Sequence, residues 1–129
     1  MFKKNTQQKS LDINQQEIST IIGEGYVFTG ELQGSSVIRI EGKIIGNVNV
    51  EGGVVLGEKG IIDGDIFTKS AIIFGTVNGN VKSGQLEIKR SGIVSGDIST
   101  DTLEIELGAQ FNGKLNMQRP QQQVLAEAS

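Results

Sequence analysis

Hydrophobic and polar positions follow a fixed phrase along this chain: a glycine, one polar residue, then an aliphatic. It occurs six times, as Gly30-Glu31-Leu32, Gly46-Asn47-Val48, Gly64-Asp65-Ile66, Gly79-Asn80-Val81, Gly96-Asp97-Ile98 and Gly113-Lys114-Leu115. The intervals are 16, 18, 15, 17 and 17 residues. Two residues before each anchor glycine stands another apolar side chain: Phe28, Ile44, Ile62, Val77, Val94 and Phe111. A second glycine precedes the anchor by four residues in four rows, at Gly42, Gly60, Gly75 and Gly92, with Tyr26 and Ala109 in that place in the first and last rows. Self-similarity at this period marks one supersecondary unit stacked on itself.

Each unit predicts three short strands. Ahead of the phrase comes an alternating run, as in Leu86-Glu87-Ile88-Lys89 and Leu103-Glu104-Ile105-Glu106-Leu107. Period two turns Leu86, Ile88, Leu103 and Ile105 inward and Glu87, Lys89, Glu104 and Glu106 outward. The second strand centres on the apolar residue before the glycine, and the third follows it. Strands this short are unstable as isolated hairpins; they persist when each coil pairs with the next, about 4.8 Å away. The reading is all-β: a three-faced β-solenoid of about six coils. Its core is two stacks, Phe28 to Phe111 and Leu32 to Leu115. Stacking also sets Lys89 against Glu106 and Glu87 against Glu104.

The repeat spans residues 18–117. Residues 1–17, MFKKNTQQKSLDINQQE, are polar after the first two side chains and read as a flexible tail, as do residues 118–129. No signal peptide opens the chain and no apolar run approaches the ~18 residues of a spanning helix, so the expected location is the cytoplasm.

Composition removes most chemistry. With no histidine and no cysteine, the usual general base, the commonest metal ligand, thiolate metal sites and disulfides are all missing. A net charge of −3 offers no basic stripe for nucleic acid. Gly108–Leu115 matches a phosphate-binding loop except that Leu115 replaces the hydroxyl residue, and no helix pattern follows. No nucleotide or other cofactor is expected. Asp63, Asp65 and Asp97 lie beside corner glycines, where acidic residues are ordinary turn formers. The hexapeptide spacing of solenoid acyltransferases and the G-G-x-G-x-D of calcium-binding solenoids are both absent.

The repeated G-x-[IV]-x-G-[ND]-[VI] phrase, in Gly42–Val48, Gly60–Ile66, Gly75–Val81 and Gly92–Ile98, with Met1-Phe2-Lys3-Lys4 at the start, resembles the bactofilins, bacterial cytoskeletal proteins. The resemblance covers residues 18–117. It implies a right-handed parallel β-helix that polymerises without nucleotide into non-polar filaments. It also implies membrane association through the N-terminal tail, on the inner face of the cytoplasmic membrane, and scaffolding of envelope-synthesis or hydrolysis proteins that set cell shape. Bactofilin tails are often proline-rich; this one has only Pro120, so the resemblance does not extend to partners that read such a tail.

Physical reasoning reaches assembly independently. A solenoid ends in two open cross-sections with unpaired strand edges, which monomers cover with polar caps. Here no cap is evident beyond Phe111, Leu115 and Met117 at one end, or before Ile21, Ile22, Val27 and Phe28 at the other. These seven residues are the expected polymerisation contacts; the alternative is that the tails fold back as caps. Met1, Phe2, Lys3 and Lys4 are the expected membrane contacts. Burying Phe2 contributes roughly 1.5–3 kcal/mol and each lysine near an anionic leaflet about 1 kcal/mol. One such tail binds weakly, and a filament carrying many binds by avidity. The competing function is a non-polymerising solenoid that binds polysaccharide or protein on a flat face, whose mark would be a ladder of exposed aromatics.

Overall fold

The computed structural model describes residues 18–117; the two segments read as tails, with Met1 to Lys4, lie outside the described residues. Fifteen strands wind into six coils around three faces. On the first face lie β1 (Ile18–Ile22), β4 (Val37–Ile40) and β7 (Gly53–Leu56). The second face holds β2 (Val27–Thr29), β5 (Lys43–Ile45), β8 (Ile61–Asp63), β10 (Thr76–Asn78), β12 (Ile93–Ser95) and β14 (Gln110–Asn112). The third face begins with β3 (Leu32–Gly34) and β6 (Val48–Val50) and ends with β15 (Leu115–Met117). Among the described residues every strand pair is parallel, for example Phe28 with Ile44 and Val77 with Val94.

In one respect the expected three-strand unit is wrong. In the later coils β9 (Ile66–Ile73), β11 (Val81–Ile88) and β13 (Ile98–Ile105) run eight residues each, crossing from the third face to the first without a break. The earlier coils interrupt that corner with Ser35-Ser36 and Glu51-Gly52. The later ones pass it through Ser70 and Gln85, paired in register, and Thr102. Buried hydroxyls serve this corner. Thr100 Oγ1 lies 3.2 Å from Ser83 Oγ and donates toward the Thr102 carbonyl at 3.0 Å, so the polar atoms inside the wall are satisfied.

The uneven intervals have a local origin at two corners. The corner between the first and second faces sets most of the difference, and the corner between the third and first faces adds one residue in the two coils where β3 and β6 end before it. The first-to-second corner takes two residues in Glu41-Gly42 and Phe74-Gly75, giving the intervals of 16 and 15. It takes four in Gly57–Gly60, Lys89–Gly92 and Glu106–Ala109, giving 18, 17 and 17.

The anchor glycines form a column of their own. All six have positive φ, from 132° at Gly30 to 158° at Gly79. A Cβ on Gly46, Gly64, Gly79, Gly96 or Gly113 would collide with the carbonyl oxygen of the anchor glycine one coil below. Glycine is therefore required twice over, for its φ and for the close coil-to-coil approach.

Beside this column runs a ladder of side-chain acceptors. Asn47 Oδ1 accepts the Asp65 N–H at 3.0 Å, Asp65 Oδ1 that of Asn80 at 3.0 Å, Asn80 Oδ1 that of Asp97 at 2.9 Å, and Asp97 Oδ1 that of Lys114 at 3.1 Å. The phrase alternates Asn and Asp because both carry an acceptor at this reach.

Inside, Ile44, Ile62, Val77 and Val94 form one buried stack, and Val48, Ile66, Val81 and Ile98 another. A third, Ile40, Leu56, Ile73 and Ile88, is equally buried. Together they form one continuous core cluster.

Candidate assembly surfaces at the two ends

The inward stacks continue into the terminal coils, but burial does not. Ile22, Phe28 and Leu32 of the first coil, and Leu103 and Phe111 of the last, are only partly buried while packing on the core. Leu115 is 42% exposed and Ile105 43%, whereas their counterparts one coil inward, Ile98 and Ile88, are 1% and 0%. The side chains are of the same kind; the missing rung above them makes the difference. Among the described residues, each sheet also stops at an edge strand with a neighbour on one side only. The second-face sheet ends on β2 and β14, and the larger sheet ends on β1 and β3 at one end and on β15 at the other.

The seven expected contact residues divide by geometry. Ile22, Phe28, Phe111 and Leu115 belong to inward stacks and lie in the open cross-sections. Ile21 pairs with Arg39 and Val27 with Lys43, so both point outward, on the sides of the first coil, and they are 63% and 61% exposed. Met117 is buried at the end of β15. Sequence reasoning passed over Tyr26, Leu32, Leu103, Ile105 and Leu107. Leu107, 95% exposed, sits in the turn after β13. The signal for Ile105 was the period itself, because it stacks on Ile88.

The candidate acids have structural employment. Asp65 and Asp97 serve the acceptor ladder, and Asp63 accepts a hydrogen bond from Asn78 Nδ2 at 2.8 Å. The phosphate-loop-like stretch forms β14 and the start of β15. On the outer first face Glu87 stacks beneath Glu104 as expected. Lys89, just past the end of β11, however, turns back to Glu87 on that strand, at 2.9 Å, while Glu106 accepts the Arg90 N–H at 2.7 Å. The backbone donor of the turn takes the carboxylate intended for the lysine. The Glu87 hydrogen bond raises the Lys89 pKa above its usual 10.5, with Glu106 and Glu104 adding to the effect against desolvation.

Exposed aromatics do not form a ladder among the described residues: Tyr26 precedes β2 and Phe67 lies on β9, on different faces. No group of three or more His, Cys, Asp or Glu side chains among them could hold a metal ion. Among the described residues there is no helix long and apolar enough to cross a membrane.

The described residues define a parallel β-solenoid of six coils. Residues 20–116 match the family model described as "Bactofilin: Polymer-forming cytoskeletal", and the chain belongs to that family. It is 33% identical over 100 residues to bactofilin BacO of Myxococcus xanthus, covering 77% of this chain and 79% of BacO. Bactofilin BacP of the same organism is 26% identical over 110 residues, 84% of this chain and 46% of BacP. The bactofilin of Thermus thermophilus, reconstructed by cryo-EM as double helical filaments, superposes with a TM-score of 0.73 at 26% identity. That match covers 75% of this chain and 97% of the Thermus chain. The family is structural rather than enzymatic, and its filament-forming members make self-assembly the activity to explain.

Proposed function

We propose that this chain builds filaments without nucleotide by joining solenoids end to end. We further propose that the filaments lie on the inner face of the cytoplasmic membrane and scaffold the proteins that shape the cell envelope. The observation that carries the reading is the loss of burial at both ends of an otherwise closed core. A second copy stacked on either end supplies the missing rung: it covers Leu115 and Ile105, or Phe28 and Leu32, and pairs the free strand edges. Both ends carry the same kind of surface, open apolar core framed by unpaired backbone, so like ends can meet, which is what a non-polar filament requires.

Purified protein should form filaments visible by electron microscopy with no nucleotide added. Leu115→Arg should leave short, soluble, folded oligomers, with circular dichroism confirming the β-solenoid. Filaments of undiminished length from folded Leu115→Arg and Phe28→Arg proteins would overturn the end-to-end reading.

Membrane attachment rests on Met1, Phe2, Lys3 and Lys4, an apolar pair followed by two cations, and on multiplication of that weak contact along a filament. Deleting residues 1–4 should abolish co-sedimentation of filaments with anionic liposomes; unchanged co-sedimentation would remove the anchor.

A further inference from the structure

The chain contains two Asn-Gly pairs, Asn78-Gly79 and Asn112-Gly113. They stand at equivalent places on the second face, at the ends of β10 and β14, two coils apart. Asparagine is a thermolabile residue, and a following glycine, with no Cβ, leaves the next backbone nitrogen sterically free to reach the side-chain amide.

Both asparagine side chains are exposed, so exposure does not separate the two pairs. Their hydrogen bonds do. Asn78-Gly79 is held from both sides: the Gly64 N–H donates to the Asn78 carbonyl at 3.1 Å, and the Gly79 N–H donates to the Ser95 carbonyl of the next coil at 2.9 Å. Asn78 Nδ2 donates in addition to Asp63 Oδ1 at 2.8 Å. At Asn112-Gly113 only the lower hold persists, from the Gly96 N–H to the Asn112 carbonyl at 2.9 Å. Among the described residues neither the Gly113 N–H nor Asn112 Nδ2 has an acceptor, because β14 is an edge strand. The residue after each pair is tied down alike, the Asn80 N–H by Asp65 Oδ1 and the Lys114 N–H by Asp97 Oδ1.

We propose that Asn112-Gly113 is a site of spontaneous modification: its asparagine deamidates through a succinimide while the last coil is uncovered, and a second copy stacked over that coil shuts the reaction off. The second half rests on the end-to-end reading above; the first does not. The Gly113 nitrogen gives its proton to solvent and attacks Asn112 Cγ. A Cγ–N bond forms, the Cγ–Nδ2 bond breaks, and the amide nitrogen takes up a proton and leaves as ammonia. Water then opens the cyclic imide at either carbonyl, leaving an aspartate or an isoaspartyl linkage at position 112. One water is consumed and one ammonia released, with no oxidant or cofactor.

For the attack, the peptide between the two residues must swing out of the sheet. At Asn78 that breaks both backbone bonds and frees Nδ2 from Asp63; at Asn112 it breaks one bond. The isoaspartyl product lengthens the backbone by a methylene just ahead of Gly113. The glycine column has no slack there, since a Cβ on Gly113 would already collide with the Gly96 carbonyl. Leu115 shifts with it, and either product adds a carboxylate to the end surface. An uncovered end therefore ages out of assembly, and a covered end does not.

The full chain is incubated in mildly alkaline buffer below the concentration at which filaments form, and its digests are read by mass spectrometry for aspartate and isoaspartate. Each rate is referred to that of the same pair in guanidinium chloride, where neither coil persists. So normalised, Asn112 should convert at least ~10-fold faster than Asn78. Equal rates, or a faster Asn78, would overturn the site, and this comparison needs no filaments. In sedimented filaments the Asn112 rate should fall at least ~10-fold. Conversion there as fast as in dilute protein would overturn the shut-off while the site stands, so the two halves fail separately. Asn112→Gln, whose longer side chain closes the ring poorly, should still assemble after an incubation that has disabled the unmodified chain; loss at the same pace would overturn the link to assembly.

Discussion

The middle coils and the end coils are written in the same repeat, yet they are different materials. Ile44, Ile62, Val77 and Val94 are fully enclosed, while Phe28 and Phe111, first and last in the same stack, remain partly open. Along the third face Val48, Ile66, Val81 and Ile98 are at most 1% exposed, and Leu115 above them is 42%. Nothing in the side chains explains the contrast. In a solenoid a residue is buried by its equivalent one coil away, so the interior coils complete each other and the terminal coils wait for a neighbour. Stability therefore resides in the middle, and the proposed association at the ends.

The glycine column gives the sharpest way to break that comparison. Gly79→Ala places a Cβ against the Gly64 carbonyl at a φ of 158°, so the coils must separate; destabilisation of at least ~3 kcal/mol, or failure to fold, is expected. Gly30 has the same kind of φ, but its added Cβ meets only Phe28 at 3.9 Å, because among the described residues no coil lies beneath it. Gly30→Ala should cost about 1 kcal/mol in denaturant unfolding, chiefly from backbone strain, and act mainly on filament assembly. Equal losses at the two positions would show that the ends are not open.

A core pair tests the same distinction more gently. Ile62→Ala, at a fully buried position, should destabilise by about 2–5 kcal/mol. Leu115→Ala, already 42% exposed, should cost roughly 1 kcal/mol in the unassembled protein and show its larger effect in the concentration at which filaments appear. Chemical denaturation of non-polymerising protein, alongside sedimentation of the wild-type background, separates the two effects.

The smallest expected effect concerns the joint between the fifth and sixth coils. Lys89 is held charged by Glu87, with Glu106 and Glu104 of the last coil contributing. Its pKa is raised in the folded state, so its contribution is present at neutral pH, intact below the ordinary 10.5, and lost as pH climbs through the higher folded value. Lys89→Met should remove the part of the alkaline loss of stability that arises above that ordinary value, and change stability near neutral pH only slightly. A melting temperature that follows the same alkaline profile in both proteins would assign the loss to other groups.

The Gly-polar-aliphatic phrase made the architecture readable without coordinates. Glycine at positive φ, a short acceptor beside it and an aliphatic every coil leave one geometry that satisfies all three, and all twelve residues of the two expected stacks pair in register. The lower burial of the terminal rungs, as at Leu115 and Ile105, follows from the same repeat, since its first and last coils have a described neighbour on one side only. Alternation misjudged what lies outside the repeat. Ile21 and Val27 are apolar but face outward, because pairing with Arg39 and Lys43 fixes their side of the sheet. Lys89 chose Glu87 on the strand before it over the coil above because the turn donor at Arg90 had already engaged Glu106.

By itself, then, the sequence determined the period, the corner residues and the core stacks, all of which follow from local conformational limits repeated six times. Only the tertiary structure decided how many residues turn each corner, where strands fuse across it, and that Val37, Val55 and Ile72 are buried on the outside of a wall. Those outcomes depend on which side chains from distant parts of the chain compete for one surface, and a local pattern carries no record of that competition.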